Sequence, residues 1–284
     1  MPVCPIIVRS DSVASLQRAR GSLRMRIARR GLNSVLADLY QEGCLKARFP
    51  RTQPGAPVSV VLLNTAGGVV PGDRLDQSVS LESGTKASVV SVGAERFYRG
   101  RPGDTPAHVR TAITVGAGAV LEWLPQESIL FDATALDRTL VIELEDTAQL
   151  LLVEAMLFGR AAMGESLQWI RLVDRLRIRR AGRLVWQDAV RLCGDAATLM
   201  QHAAIGAGAG AMAGILFVAP EAMAQLEPLR KALAAESCDA GVTFRDGVLF
   251  ARVLARDGAA LRASIAAALA VLRAETGLPR NWCC

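Results

Sequence analysis

The sequence predicts a mainly β protein: a layered, solenoid- or sandwich-like stack of hairpins, with about two α-helices near the C-terminus. Three observations predict it. Apolar and polar residues alternate with period two over most of the chain, which is the period of a half-buried strand. Tight turns opening at Gly84, Gly116 and Asp146 fall 32 and then 30 residues apart, each between two alternating runs. Such regular spacing marks stacked supersecondary units. After Pro220 the apolar residues adopt helical spacing instead.

In chain order, residues 1–15 read as a flexible N-terminus and 16–284 as a single β-rich domain. Strand 23–29 comes first, with Leu23, Met25 and Ile27 alternating with Arg24, Arg26 and Ala28. Arginines there suit the solvent face of an edge strand. Residues 33–47 fit a short helix or a strand. Residues 51–57 hold Pro54, Gly55 and Pro57 and read as a loop. Strands follow at 58–63, 75–81, 87–92, 109–115, 119–124, 140–144, 150–154, 167–170, 175–179, 184–192, 199–205 and 211–218. Helices are expected at about 220–236 and 258–276, separated by strand 248–254. Pro220 is tolerated near the start of the first. Asp257 can cap the second, and Gly277 and Pro279 end it.

Composition narrows the function classes. Half the residues are hydrophobic, which argues against disorder. No apolar run reaches the length of a membrane span, and no secretory signal is visible. The net charge of +6 sits entirely in residues 1–34, which hold seven arginines and one acid, so the remainder is neutral. The six cysteines show no C-x-x-C or disulfide framework, which points to a reducing, cytoplasmic setting. His108 and His202 are the only histidines, and no His/Cys zinc cluster is legible. The Cys283-Cys284 pair reads as a mobile reduced terminus rather than a soft-ion site.

The stretch 61–100 invites a phosphate-loop reading, since Gly67 and Gly72 have the required spacing. Asp73 and Arg74 stand where Lys and Ser/Thr belong, and an acid there repels phosphate. Asp73 is then a turn residue, and Gly67, Gly68 and Gly72 serve turns and close packing. No Gly-x-Ser-x-Gly and no Ser or Cys with His and Asp context occurs, so no enzyme site is evident. Acids recur beyond the repeated strands. Glu95 and Glu127 each lie eleven residues past the glycine opening their unit, and Asp132, Glu154 and Glu165 follow in the excursions. In stacked layers such positions can form a track of hard oxygen ligands that a divalent cation visits without being trapped. The plainer reading is solvated loop-end carboxylates. Arg160 can neutralise a neighbouring acid, and Tyr98 and Trp123 suit core aromatics with a polar atom at the rim.

The runs Leu-Asn-Thr-Ala-Gly-Gly-Val-Val-Pro-Gly-Asp-Arg (63–74) and Ala-Glu-Arg-Phe-Tyr-Arg (94–99) resemble the UreD (UreH) family of urease accessory proteins. So do Leu-Glu-Trp-Leu-Pro-Gln-Glu-Ser-Ile-Leu-Phe (121–131), Glu-Ala-Met-Leu-Phe-Gly-Arg-Ala-Ala-Met-Gly-Glu (154–165) and the closing Leu-Pro-Arg-Asn-Trp (278–282). One departure is Ser91-Val92-Gly93, where the family usually reads Thr-Thr-Gln. The resemblance implies a non-enzymatic nickel-insertion chaperone made of β-layers and a helix pair. It implies docking on the urease apoprotein, a UreF-like partner, and a UreG-like GTPase that carries nickel and uses the GTP. No tightly bound cofactor is implied, only nickel in transit through an internal tunnel; Glu95, Glu127, Asp132, Glu154 and Glu165, read above as recurring acids, are the candidate stations along it. No nucleic acid or membrane is among the implied partners. The rival readings are a β-rich hydrolase using Glu127 and Glu154 as paired carboxylates, and an RNA-binding protein using the basic start.

Overall fold

The computed structural model describes residues 17–53, 55–101, 103–160, 163–165, 167–274 and 276–283. The expected flexible segment 1–15, Leu16 and Cys284 lie outside them.

Among the described residues, seventeen strands and three helices follow in order. They are β1 (Arg20–Arg30), β2 (Asn33–Gly43), β3 (Leu45–Arg48), β4 (Val58–Asn64), β5 (Arg74–Leu81), β6 (Lys86–Ser91), β7 (Glu95–Phe97), β8 (Ala107–Val115) and β9 (Val120–Leu124). Then come β10 (Ser128–Leu130), β11 (Thr134–Leu144), β12 (Gln149–Phe158), β13 (Ile170–Arg180), β14 (Arg183–Gly194), α1 (Ala196–Gln201) and β15 (Ala211–Val218). The chain closes with α2 (Leu226–Ala234), β16 (Asp239–Arg245), β17 (Val248–Ala255) and α3 (Gly258–Leu272).

The strands form two facing sheets. One runs β14-β13-β11-β8-β5-β1-β2 and the other β16-β17-β15-β12-β9-β6-β4-β3, with β7 and β10 beside the end of β12. Each layer is one coil. A strand in the first sheet turns tightly into a strand of the second, and a short third strand leads to the next coil. The turns at Gly84, Gly116 and Asp146 therefore join sheets, and pairing occurs between coils. Lys86 pairs in parallel with Val120, and Val120 with Gln149, offsets of 34 and 29 residues. The repeat read from the turns, 32 and 30, marks the same stack seen from one corner. Parallel strands covered on both faces carry long apolar runs, as in Leu150–Val153.

Local expectations need correction: the strands expected at 167–170 and 175–179 are one strand, β13, which starts at Ile170. Strand β1 is flanked by β2 and β5, so the edge is β2 and not the arginine strand. Residues 199–205 form the end of α1 and a run of turns instead of a strand, because Asp195 caps the helix by accepting from Thr198 N at 3.0 Å. Strand β16 went unread, although Asp246-Gly247 joins it to β17 with positive φ at both residues, a strong hairpin signal. Residues 33–47 resolve into β2 and β3.

The core has two parts. Inward side chains of the two sheets form the first. The outer face of β15 and β17 with α2 and α3 forms the second. Asp257 accepts from Ala260 N at 2.9 Å, as the cap reading required, and α3 buries Leu261, Ile265, Ala268 and Leu269. The closing segment fastens this helix to the coils. Trp282 is 3% exposed and donates from Nε1 to Leu124 O at 3.0 Å, and Asn281 Nδ2 donates to Ser91 O at 2.9 Å.

Candidate functional site

Between the sheets lies a cavity of about 300 Å³. Its mouth includes Lys46, Asn64 and Ser91–Ala94, with Val92 69% exposed. The Ser91-Val92-Gly93 departure from the family pattern thus sits at this opening. Deeper in, the lining includes Glu95, Trp123, Ser128, Arg138 and Glu154. A narrower space of about 30 Å³ continues from Leu140 and Glu154, which line both, towards Asp174, Asp188 and Arg252.

Glu95 stands at the start of β7. Asn64 Nδ2 donates to its Oε2 at 3.3 Å and the Arg96 N–H to its Oε1 at 3.1 Å. Burial pushes this carboxyl above its ordinary range, and those two donors pull it only part of the way back. Gln77, on β5, faces the same cavity, and its Oε1 is buried without a partner among the described residues.

Glu154 belongs to a network that ties the sheets together. Arg138 occupies an inward position of β11 and is the register partner of Asp174 on β13. Its guanidinium grips Asp174 through Nε–Oδ1 at 2.8 Å and Nη2–Oδ2 at 2.9 Å. Nη1 reaches across to Glu154 Oε2 at 2.9 Å and to Ser128 Oγ at 3.2 Å. Trp123 Nε1 donates to Glu154 Oε1 at 3.0 Å. Burial opposes the charge on Arg138, but Asp174 and Glu154 together outweigh it and keep the guanidinium protonated. One cation thus serves two carboxylates. Burial raises the Glu154 carboxyl, Arg138 lowers it, and Asp174 adds to the rise.

The other predicted acids lie elsewhere. Glu127 is not equivalent to Glu95: Ser128 is the register partner of Glu95, and the Glu95 N–H donates to Glu127 O at 2.9 Å. A shift of one residue turns a strand side chain to the opposite face. Glu127 accordingly meets α3, pairing with Arg262 Nη1 at 3.0 Å. Glu127 and Glu154 therefore do not face each other across a common cavity, as a carboxylate hydrolase requires. Asp132 Oδ1 accepts from Gln168 N at 2.7 Å and Trp169 N at 3.0 Å, holding the approach to β13. Glu165 pairs with Arg160 at 2.9 Å, and that hydrogen bond lowers its carboxyl.

The glycine turn is structural. Asp73, 2% exposed, accepts from Ala19 N at 2.7 Å and Val70 N at 2.8 Å. Tyr98 OH donates to Gly67 O at 3.1 Å. A Cβ at Gly68, where φ is +145°, would stand 2.3 Å from Tyr98 Cε2. Gly72 has φ +92° and lies against Arg18. Tyr98 also packs edge-on against Phe131 at 4.8 Å, with the Arg160 guanidinium 4.1 Å from the Phe131 ring centre.

Sequence reasoning missed Arg138 and Asp174. The available signal was parity, because each interrupts the inward apolar series of its strand: Leu136, Arg138, Leu140 and Leu172, Asp174, Leu176. Among the described residues, no group of three or more His, Cys, Asp and Glu side chains could hold a metal ion. The oxygens lining the cavity are sparse: carboxylate, amide and hydroxyl, a donor set that binds hard cations weakly.

A family model described as UreD urease accessory protein matches residues 19–283. Relatives described as urease accessory protein UreD include one from Ruegeria pomeroyi, 44% identical over 252 residues, which span 89% of this chain and 96% of the relative. One from Paracoccus denitrificans is 40% identical over 274 residues, 96% and 95% of the two chains. Another, from Dinoroseobacter shibae, is 43% identical over 268 residues, 94% and 93% of the two chains.

Proposed function

We infer the function from one premise: the chain belongs to the UreD family of urease accessory proteins, and its role is in urease maturation. Within that role, the chain acts as a non-enzymatic chaperone in the cytoplasm. It docks on the urease apoprotein, joins a UreF-like partner and passes on nickel delivered by a UreG-like GTPase. Among the described residues no helix is long and apolar enough to cross a membrane.

The observation that carries the transit reading is the pair of interior spaces sharing Glu154, with Glu95 nearer the mouth. Glu95 and Glu154 are the stations. A borderline ion held by several Cys or His ligands stays bound, whereas one carboxylate with amide oxygens and water releases it. Gln77 Oε1 adds an oxygen along the way. Arg138 prevents Glu154 and Asp174 from acting together as a trap, since its guanidinium already occupies both. Glu127, Asp132 and Glu165 serve the architecture around this route.

The direct test is the nickel content of urease purified from a strain lacking this gene. Apo-urease is expected, and a full nickel complement refutes the assignment. A second prediction separates route from fold. Burial raises the Glu95 carboxyl, so its ionised form is less favourable in the folded than in the unfolded chain. Its contribution to stability therefore falls as pH rises from the ordinary carboxylate range through the raised value. Glu95→Gln removes that buried charge. It is expected to raise the Tm near neutral pH by about 1 to 3 °C while lowering the nickel content of urease. Unchanged nickel delivery by this variant would remove Glu95 from the route.

A further inference from the structure

Neither the neutral sum of residues 35–284 nor the basic start shows how unevenly charge is distributed in space. Outward positions of the seven-stranded sheet collect arginines from strands far apart in sequence. Arg26, Arg175 and Arg179 pair with Glu82, Asp137 and Glu143. Arg20, Arg74, Arg110, Arg171, Arg177 and Arg191 are exposed on this face, and among the described residues they make no ion pair. Arg20 and Arg74 are direct register partners on adjacent parallel strands. Like charges in that relation destabilise a sheet. Among the described residues no carboxylate lies within ion-pair distance of either arginine, and α2 and α3 cover the other sheet.

We propose that the outer face of the seven-stranded sheet is a docking surface for an acidic protein surface. The inference rests on the maturation role, because the partner it names is a component of the urease assembly. Three features favour protein over nucleic acid. Every cation in the set is arginine, whose planar fork grips carboxylates in pairs and which is enriched at protein interfaces where lysine is depleted. Asp76, Asp137 and Glu143 are interspersed among them and would face the phosphates of a nucleic acid. Among the described residues, Tyr40 is the one outward aromatic in the seven strands, and Arg24 engages it at 4.6 Å, whereas single-strand binding depends on stacked bases.

The test uses the tagged full-length chain co-expressed with the urease subunits and the accessory proteins of the same assembly. The readout is the amount of each identified protein recovered with it. The Arg110→Glu/Arg177→Glu double variant is expected to lose one of these proteins by about tenfold or more while retaining the others. Raising NaCl from about 50 to about 300 mM is expected to release the same protein from the wild type. Should that variant misfold by circular dichroism, Arg171→Glu/Arg191→Glu probes the same face and carries the same expectation. Wild-type recovery of every partner by a folded variant overturns the proposal and leaves the maturation role standing. So does tight binding of a short single-stranded RNA that the variant loses while its protein partners stay. If the wild type captures no urease component, the maturation role fails and the proposal falls with it.

Discussion

Replacing Arg138 with Met is expected to lower the stability of the folded chain by about 3 to 5 kcal/mol. The substitution keeps most of the side-chain volume, so the loss is electrostatic and not a cavity effect. Without the guanidinium, Glu154 and Asp174 are left as two buried acids, and neither has another cation within pairing distance among the described residues. Trp123 Nε1 is a neutral donor to Glu154 alone and cannot compensate for two charges. Urea unfolding measures the effect through the midpoint at unchanged slope. Adding Asp174→Asn should recover part of the loss, because the neutral amide no longer requires a cation; such coupling is expected of groups in one network. A single-variant loss below about 1 kcal/mol would mean that the buried acids find water or protons instead.

Trp282→Ala is expected to cost about 3 to 5 kcal/mol, and to do so locally. The indole is buried between α3 and the coils, gives its N–H to Leu124 O, and lies under the Arg262 guanidinium at 5.1 Å. Arg262 in turn holds Gln126 Oε1 at 2.8 Å, Glu127 Oε1 at 3.0 Å and Asn281 O at 3.1 Å. Removing the ring loosens this clamp. Hydrogen exchange should accelerate across Gly258–Leu272 while amides of β8, β9 and β11 keep their protection. Uniform acceleration throughout the chain would show that the helix and the coils unfold as one unit, contrary to the expectation.

The layered β architecture and the two C-terminal helices could be read because alternation, turn residues and the Asp257 cap are local signals. The candidate site was legible only in part, and the reason is geometric. Glu95 and Glu154 emerged as acids following repeated strands, but Glu127 shared that signature and faces α3. Counting from the opening glycine cannot resolve a one-residue slip, since the excursions before β7 and β10 differ in path while backbone pairing sets the true register. Arg138 and Asp174 sit 36 residues apart and become neighbours only when β11 and β13 align. The arginine face is hidden for a related reason. A charge sum along the chain mixes outward arginines with acids from turns and the opposite sheet, so a balanced total coexists with a one-sided surface.

The parallel coils also act as a ruler. Glu95 pairs with Ser128, and Ser128 with Met156, two residues beyond Glu154. The two carboxylates thus belong to coils separated by two strand spacings, about 10 Å along the stacking direction. Backbone hydrogen bonds set that interval, and side-chain packing has little influence on it. Substitutions in the lining can alter the side chain presented at each tread of this ladder, but they leave the tread height unchanged. Only the gain or loss of an entire coil would lengthen or shorten the interval between the two carboxylates, and it would do so by a whole step.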